Sequence, residues 1–183
     1  RILLMDEPLA SLDAARKSEI LPYIERLASD FDIPVVYVSH AVEEVVRLSD
    51  TLVLINAGKV AAQGRVEDIM GRIDLGPLTG RYEAGAVLNP TVGAHLKEHS
   101  LTKLALLGHD MYVPIVDLPL DTRVRLRVRA RDVSLALDRP KGTSILNILP
   151  CTVREIETGA GSHVEVALRV SHSDVSLDTA NSP

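Results

Sequence analysis

Three short groups of residues carry the chemistry of the first 60 positions. Leu3-Leu4-Met5 lead into Asp6-Glu7-Pro8, Ser11-Leu12-Asp13 follow at once, and Ser39-His40 close a second apolar run, Val35 to Val38. Carboxylates at the end of an apolar strand sit where open α/β sheets bind their ligands. An Asp there can hold a metal or its water beside nucleotide phosphates, while a neighbouring Glu can orient an attacking water. A further group lies at Gly142-Thr143-Ser144-Ile145-Leu146-Asn147. By its residues alone the segment reads as an ordinary hairpin turn as readily as a ligand site, in which a turn's backbone N–H groups with short hydroxyls would suit a tetrahedral dianion. Thr143 and Ser144 offer two hydroxyls, Ile145 a backbone N–H, and Asn147 a side chain able to brace the turn. Arg residues at 123, 125, 127, 129 and 131 alternate with apolar ones, the pattern of a solvated strand face. Arg131, beside Asp132, is the basic group best placed to serve an anion. His95 and His99 lack a third ligand, so a metal site there is not expected. Cys151 reads as a small buried strand residue.

The elements that must position these groups alternate over residues 1–73. Ile2 to Met5 reads as a strand buried on both faces, and Asp13 is placed to cap the helix that follows. That helix carries Ile20, Leu21, Ile24, Leu27 and Ala28 at helical spacing, and Pro22 should kink or divide it. Val35 to Val38 is the next strand, and Ala41 to Leu48 is a helix with Val42, Val45 and Val46 on one face. Thr51 to Ile55 is a third strand, with Asn56-Ala57-Gly58 turning into Lys59 to Gln63. Strand, helix, strand, helix, strand implies a parallel sheet with right-handed crossovers. Residues 74–100, rich in Gly and Pro, read as a linker and the entry to a β-rich domain over 101–170. Within it, 123–131 should form one half-buried strand, continued by Val133, Leu135 and Leu137. Val113 to Val116, Val153 to Ile156 and Val164 to Val170 should form others, and a small OB-like β-barrel, incomplete after Val170, is the natural arrangement. The Ser-rich residues 171–183 are expected to be a disordered tail.

Composition bounds the function. The chain has 183 residues, 46% hydrophobic and 25% charged, with net charge −5, so bulk disorder is excluded. Four Tyr, one Phe and no Trp, on an acidic chain, argue against nucleic acid as a partner. No apolar run approaches the roughly 20 residues of a membrane-spanning helix. A single cysteine fits a reducing compartment. The start at Arg1, without Met or leader, reads as a chain cut rather than begun.

The ordered set in the first 73 residues resembles the second half of an ATP-binding-cassette ATPase. Leu3-Leu4-Met5-Asp6-Glu7-Pro8 is similar to the Walker B strand with its catalytic Glu. Leu9-Ala10-Ser11-Leu12-Asp13 resembles the D-loop, and Tyr37-Val38-Ser39-His40 the switch-histidine strand. Asn56-Ala57-Gly58-Lys59-Val60 with Gln63-Gly64 resembles the hairpin that usually follows. The resemblance implies that Glu7 is the catalytic base, that His40 contacts the γ-phosphate of ATP with Ser39 beside it, that Asp6 binds Mg²⁺ through water, and that Asp13 works across the interface of an ATPase dimer. No G-x-x-x-x-G-K-[ST] phosphate loop and no L-S-G-G-Q signature occur in these residues, so this chain alone is expected neither to bind ATP tightly nor to hydrolyse it.

The segment Arg127 to Ala136 with Gly142 to Asn147 is similar to the oxyanion-binding (Mop, or TOBE-like) barrel of molybdate importers. That resemblance implies the ATPase subunit of such an importer, with molybdate as transported or regulatory ligand. Its partners would be a second ATPase copy, transmembrane permease subunits and, indirectly, a periplasmic or extracellular molybdate-binding protein. Its place would be the cytoplasmic face of the inner membrane, as a peripheral subunit. Related anion-binding turns often have a basic residue where Leu146 stands, so charge complementarity must come from elsewhere. The alternatives are an importer ATPase for sulfate, iron, polyamine or sugar, and a non-catalytic oxyanion-binding module.

Overall fold

The computed structural model describes residues 1–31, 33–79, 84–158 and 164–171. It divides into two compact units, Arg1–Val87 and the remainder from Leu88. The boundary falls inside the stretch expected as linker and barrel entry, and the expected tail lies, after Ser171, outside the described residues. No helix among the described residues is long and apolar enough to cross a membrane.

The first unit runs β1 (Leu3–Asp6), α1 (Ala14–Phe31), β2 (Val35–Val38), α2 (Val42–Leu48), β3 (Thr51–Asn56), β4 (Lys59–Arg65), α3 (Val66–Met70) and α4 (Gly76–Thr79), and ends within β5 (Gly85–Leu88). β1 and β2 pair in parallel, Leu3 with Val35 through Asp6 with Val38, and α1 is the crossover. Leu21 and Ile24 of α1, with Leu9, form a core against Met5, Leu12, Tyr37 and Leu48. The other face is open, with Leu4, Val36 and Val38 exposed, so the expectation of a strand buried on both faces is corrected to burial on one. Ile20 likewise turns outward, because a helix lying on one sheet face buries a narrower stripe than its apolar residues span. α1 also passes through Pro22 without dividing. Proline removes one N–H bond, which the continuous turns on either side outweigh.

The third strand is not part of the parallel sheet. β3 pairs antiparallel with β4 across a turn in which Ala57 and Gly58 take positive φ (48° and 73°), the geometry of a tight two-residue hairpin. The hairpin expected from the family resemblance is therefore present, and among the described residues the parallel sheet has two strands. Val46, Val66, Met70 and Val87 form a second core, and Ala62, Ile69 and Leu75 a third.

The second unit contains β6 (Thr91–Leu96), β7 (Leu101–Leu106), β8 (His109–Pro114), β9 (Leu126–Arg129), β10 (Cys151–Thr158) and β11 (Val164–Val170). β6, β7 and β8 form an antiparallel meander, and β10 pairs with β11. Val92, Leu104, Leu106 and Met111 are its core. The region is β-rich as expected, but its sheets are small and open, and barrel closure is not formed among the described residues. Edge groups are met in other ways. The return segment bonds the outer edge of β6, Val92 N–H to Thr122 O at 2.9 Å and Asp121 N–H to Val92 O at 2.8 Å.

Three further expectations are corrected here. The strand expected over 123–131 is ordered as a strand only at Leu126–Arg129, then turns into a 3₁₀ helix at Ala130–Asp132. Arg125, Arg127 and Arg129 are half-buried rather than a solvated row, because alternation fixes which residues share a face and not what covers it. Val133, Leu135 and Leu137 are exposed and outside any strand. Cys151 opens β10 and is exposed, since every described side chain of that strand faces solvent.

Candidate active site

The parallel pairing of β1 and β2 brings the two carboxylate- and histidine-bearing loops side by side. One residue beyond β1, Glu7 donates its N–H to Val38 O at 2.9 Å, extending the ladder by a step, and then turns through a positive φ of 45°. That conformation is strained for a side-chain-bearing residue and is held by the surrounding bonds. The turn continues with Ala10 N–H on Glu7 O and with Leu9, 3% exposed, fixed in the core. It ends at Asp13, whose Oδ1 accepts the N–H of Arg16 at 2.9 Å and so caps α1 as expected.

His40 meets Glu7 directly. Glu7 Oε1 lies 2.7 Å from His40 Nδ1 and accepts the His40 backbone N–H at 3.0 Å. The Glu7 side chain is half-buried and that of His40 largely exposed, so the pair faces out from the strand ends. Asp6, the last residue of β1, is exposed beside it. The structure thus brings Asp6, Glu7 and His40 to one end of the sheet, with Asp13 at the start of the adjoining helix.

Ser39 has a different set of partners. Its Oγ donates to Glu44 Oε2 at 2.9 Å and accepts the Ala41 N–H at 3.1 Å. Glu44, 2% exposed, also takes Tyr37 OH at 2.8 Å on Oε2 and Lys17 Nζ at 2.7 Å on Oε1. Burial alone would raise its carboxyl, but the bonds from Lys17, Tyr37 and Ser39, with the Lys17 charge, outweigh it and hold the group below the usual carboxylate range. Burial, then the bond to Glu44, pushes the Tyr37 hydroxyl well above the ordinary tyrosine range. Lys17, Tyr37 and Glu44 were not singled out from sequence. The signal lay in α2: Val42 and Val46 pack on one core while Leu48, one turn from Glu44, packs on another. A helix covered on both sides obliges any carboxylate between to find donors.

In the second unit the 142–147 segment is exposed and outside strands. Thr143 Oγ1 accepts the Ile145 N–H at 3.2 Å, so the backbone donor counted for an anion is already engaged. Asn147 braces β8 rather than its own turn. It accepts the Tyr112 N–H at 2.7 Å and donates to Tyr112 O at 2.8 Å, a side-chain amide standing in for a strand partner at an open edge. Ser144 is exposed, and Arg131 is exposed in the 3₁₀ turn, with no hydrogen bond between Arg131 and 142–147 among the described residues. His95 is consumed structurally, Nδ1 on Thr102 Oγ1 at 3.1 Å and Nε2 on Leu118 O at 2.8 Å.

No family model matches the chain. Among curated proteins it is 49% identical over 168 residues to the molybdenum import ATP-binding protein ModC of Paramagnetospirillum magneticum, covering 92% of this chain and 46% of that protein. It is 50% identical over 167 residues to ModC of Mesorhizobium japonicum, covering 91% and 45%. It is 50% identical over 169 residues to ModC 1 of Azotobacter vinelandii, covering 92% and 46%. The chain spans about half the length of these relatives. The resemblance read from the motifs therefore extends along nearly the whole of its own length, through both units.

Proposed function

We propose that this chain, a homologue of the molybdenum import ATP-binding proteins, is part of the ATP-hydrolysing subunit of a molybdate importer, in which ATP turnover drives oxyanion uptake. The observation that carries the reading is the Glu7–His40 contact at the ends of two parallel strands, 2.7 Å between Oε1 and Nδ1. Both His40 bonds fall on Oε1, so Oε2 keeps its acceptor capacity for a water. A carboxylate fixed there can take the proton of a water attacking a terminal phosphate. His40, whose Nδ1–H faces that carboxylate, can donate from Nε2 to the phosphate oxygens when it carries both ring protons as an imidazolium. Asp6 fits Mg²⁺ held through water. That ion takes one or two carboxylates and keeps several waters, and no cluster of three His, Cys, Asp or Glu that would cage a metal occurs among the described residues. Bound there, Mg²⁺ would supply charge neutralisation for the phosphates.

The exposed apolar row Leu4, Val36 and Val38 supports the same reading, because strands of a wide parallel sheet are covered on both faces. Asp13 acts across an ATPase dimer, whose other partners are transmembrane permease subunits. A periplasmic or extracellular molybdate-binding protein is the indirect partner, and the site of action is the cytoplasmic face of the inner membrane. In the second unit the Thr143 and Ser144 hydroxyls, with Arg131, are the oxyanion donors, and Asn147 serves by holding the segment on β8.

The test is phosphate release by a longer protein that carries these residues together with a phosphate loop. Glu7→Gln should lower turnover by about 10²-fold or more with ATP binding retained. An undiminished rate overturns the assignment of the base.

A further inference from the structure

We propose that Glu44 is a positioning residue for His40, acting through Ser39, and that Lys17 ties this device to the helix that Asp13 caps. The proposal rests on the functional reading above for its catalytic meaning, though not for its geometry. A carboxylate only 2% exposed accepts hydrogen bonds and cannot donate them, so Ser39 must give its one hydroxyl proton to Glu44 Oε2, at 2.9 Å. Ser39 Oγ, so oriented, accepts the Ala41 N–H at 3.1 Å. Both chain neighbours of His40 are thereby fixed from Glu44, in a loop of three residues between β2 and α2. His40 itself is held by its ring and its backbone N–H on Glu7. With 39 and 41 anchored, the ring meets Glu7 without the loop having to find that geometry. Lys17, one turn into α1, bonds the other oxygen of Glu44 at 2.7 Å, so one buried carboxylate joins the helix after the Asp13 turn to the loop bearing His40. An apolar pair of the same volume would pack as well; what it could not do is set the direction of a hydroxyl.

Amide hydrogen exchange in this 183-residue chain reads the geometry without ATP. In Ser39→Ala and in Glu44→Gln the amides of His40 and Ala41 should exchange about tenfold faster, the scale of one lost hydrogen bond. Ser49 at the far end of α2 and the β6–β7 amides should be unchanged. Ser39→Thr, which keeps the hydroxyl, should restore protection. In the longer ATP-hydrolysing protein Ser39→Ala should lower kcat with little change in KM, again restored by Thr. If His40 and Ala41 exchange as in the unsubstituted chain, or if every amide of the first unit accelerates equally in both variants, positioning is overturned. If exchange responds locally but only Glu7→Gln lowers turnover, the catalytic role of Glu44 is overturned and the function stands. If Glu7→Gln leaves turnover intact, it is the functional reading that fails, and exchange still decides the geometry.

Discussion

Replacing Lys17 by Met leaves a carboxylate buried without its cation. Glu44 has 3% of its side chain exposed and Lys17 has 26%, with 2.7 Å between Nζ and Oε1. Breaking a fully buried pair from one side costs about 3–5 kcal/mol, and an exposed pair is worth about 0–1 kcal/mol. Tyr37 and Ser39 still serve Oε2 in the variant, and a quarter-exposed cavity admits water to Oε1, so the expected loss is about 2 kcal/mol. The described α-helices all belong to Arg1–Val87, so urea unfolding followed by circular dichroism at 222 nm reports this unit. Adding Glu44→Gln to Lys17→Met should recover part of the loss, a non-additivity that isolates the pair. The pH dependence has a fixed sign. The folded Glu44 carboxyl lies below its ordinary value, so its contribution is complete above the usual carboxylate range, near pH 4.3, and is lost as pH falls through the lower folded value. The gap between unsubstituted chain and variant should therefore close in acid. A Lys17→Met loss within about 0.5 kcal/mol of that for the exposed Lys59→Met, or one equally large at pH 3 and pH 7, would refute the reasoning.

Other substitutions test the framework around the site. Asp13→Ala removes the N-cap of α1 and should cost about 1 kcal/mol in the same urea assay. Pro22→Ala restores a helical N–H at an exposed interior position and should raise the urea midpoint, with an upper bound of about 3 kcal/mol. Leu104, 2% exposed in the core of the second unit, should cost about 2–5 kcal/mol as Ala, read from exchange of the β7 amides. Asn147→Ala frees both backbone groups of Tyr112 and should speed exchange of the Tyr112 amide while leaving the β6–β7 amides protected.

How much of this was legible in the sequence depends on whether a signal was local. Asp13 as a cap, the Ala57-Gly58 turn and the short apolar strands are set by neighbours in the chain, and all are found. The motifs place Glu7 and His40 each just beyond a strand end, and it is the parallel pairing of β1 with β2 that makes them meet. What failed required knowing what lies across a face. Leu3 to Met5 has the composition of a strand covered twice, yet one face is open in these residues, and composition cannot distinguish a face that is covered from one that is merely coverable. The Arg row alternates faultlessly over nine positions, but a ladder needs a partner backbone, and only Leu126–Arg129 is ordered as a strand. Cys151 was judged by its type, while its exposure follows from β10 and β11 pairing, among the described residues, with each other alone. The most consequential omission is Glu44. Among adjacent acids in a helix it has the residue type of a solvated position, and only the convergence of α1, β2 and α2 turns it into a buried carboxylate with three donors. Motifs name the groups proposed for the reacting end, Glu7 and His40. The groups that hold those in place are contributed by separate elements, so they become visible only when the chain is folded.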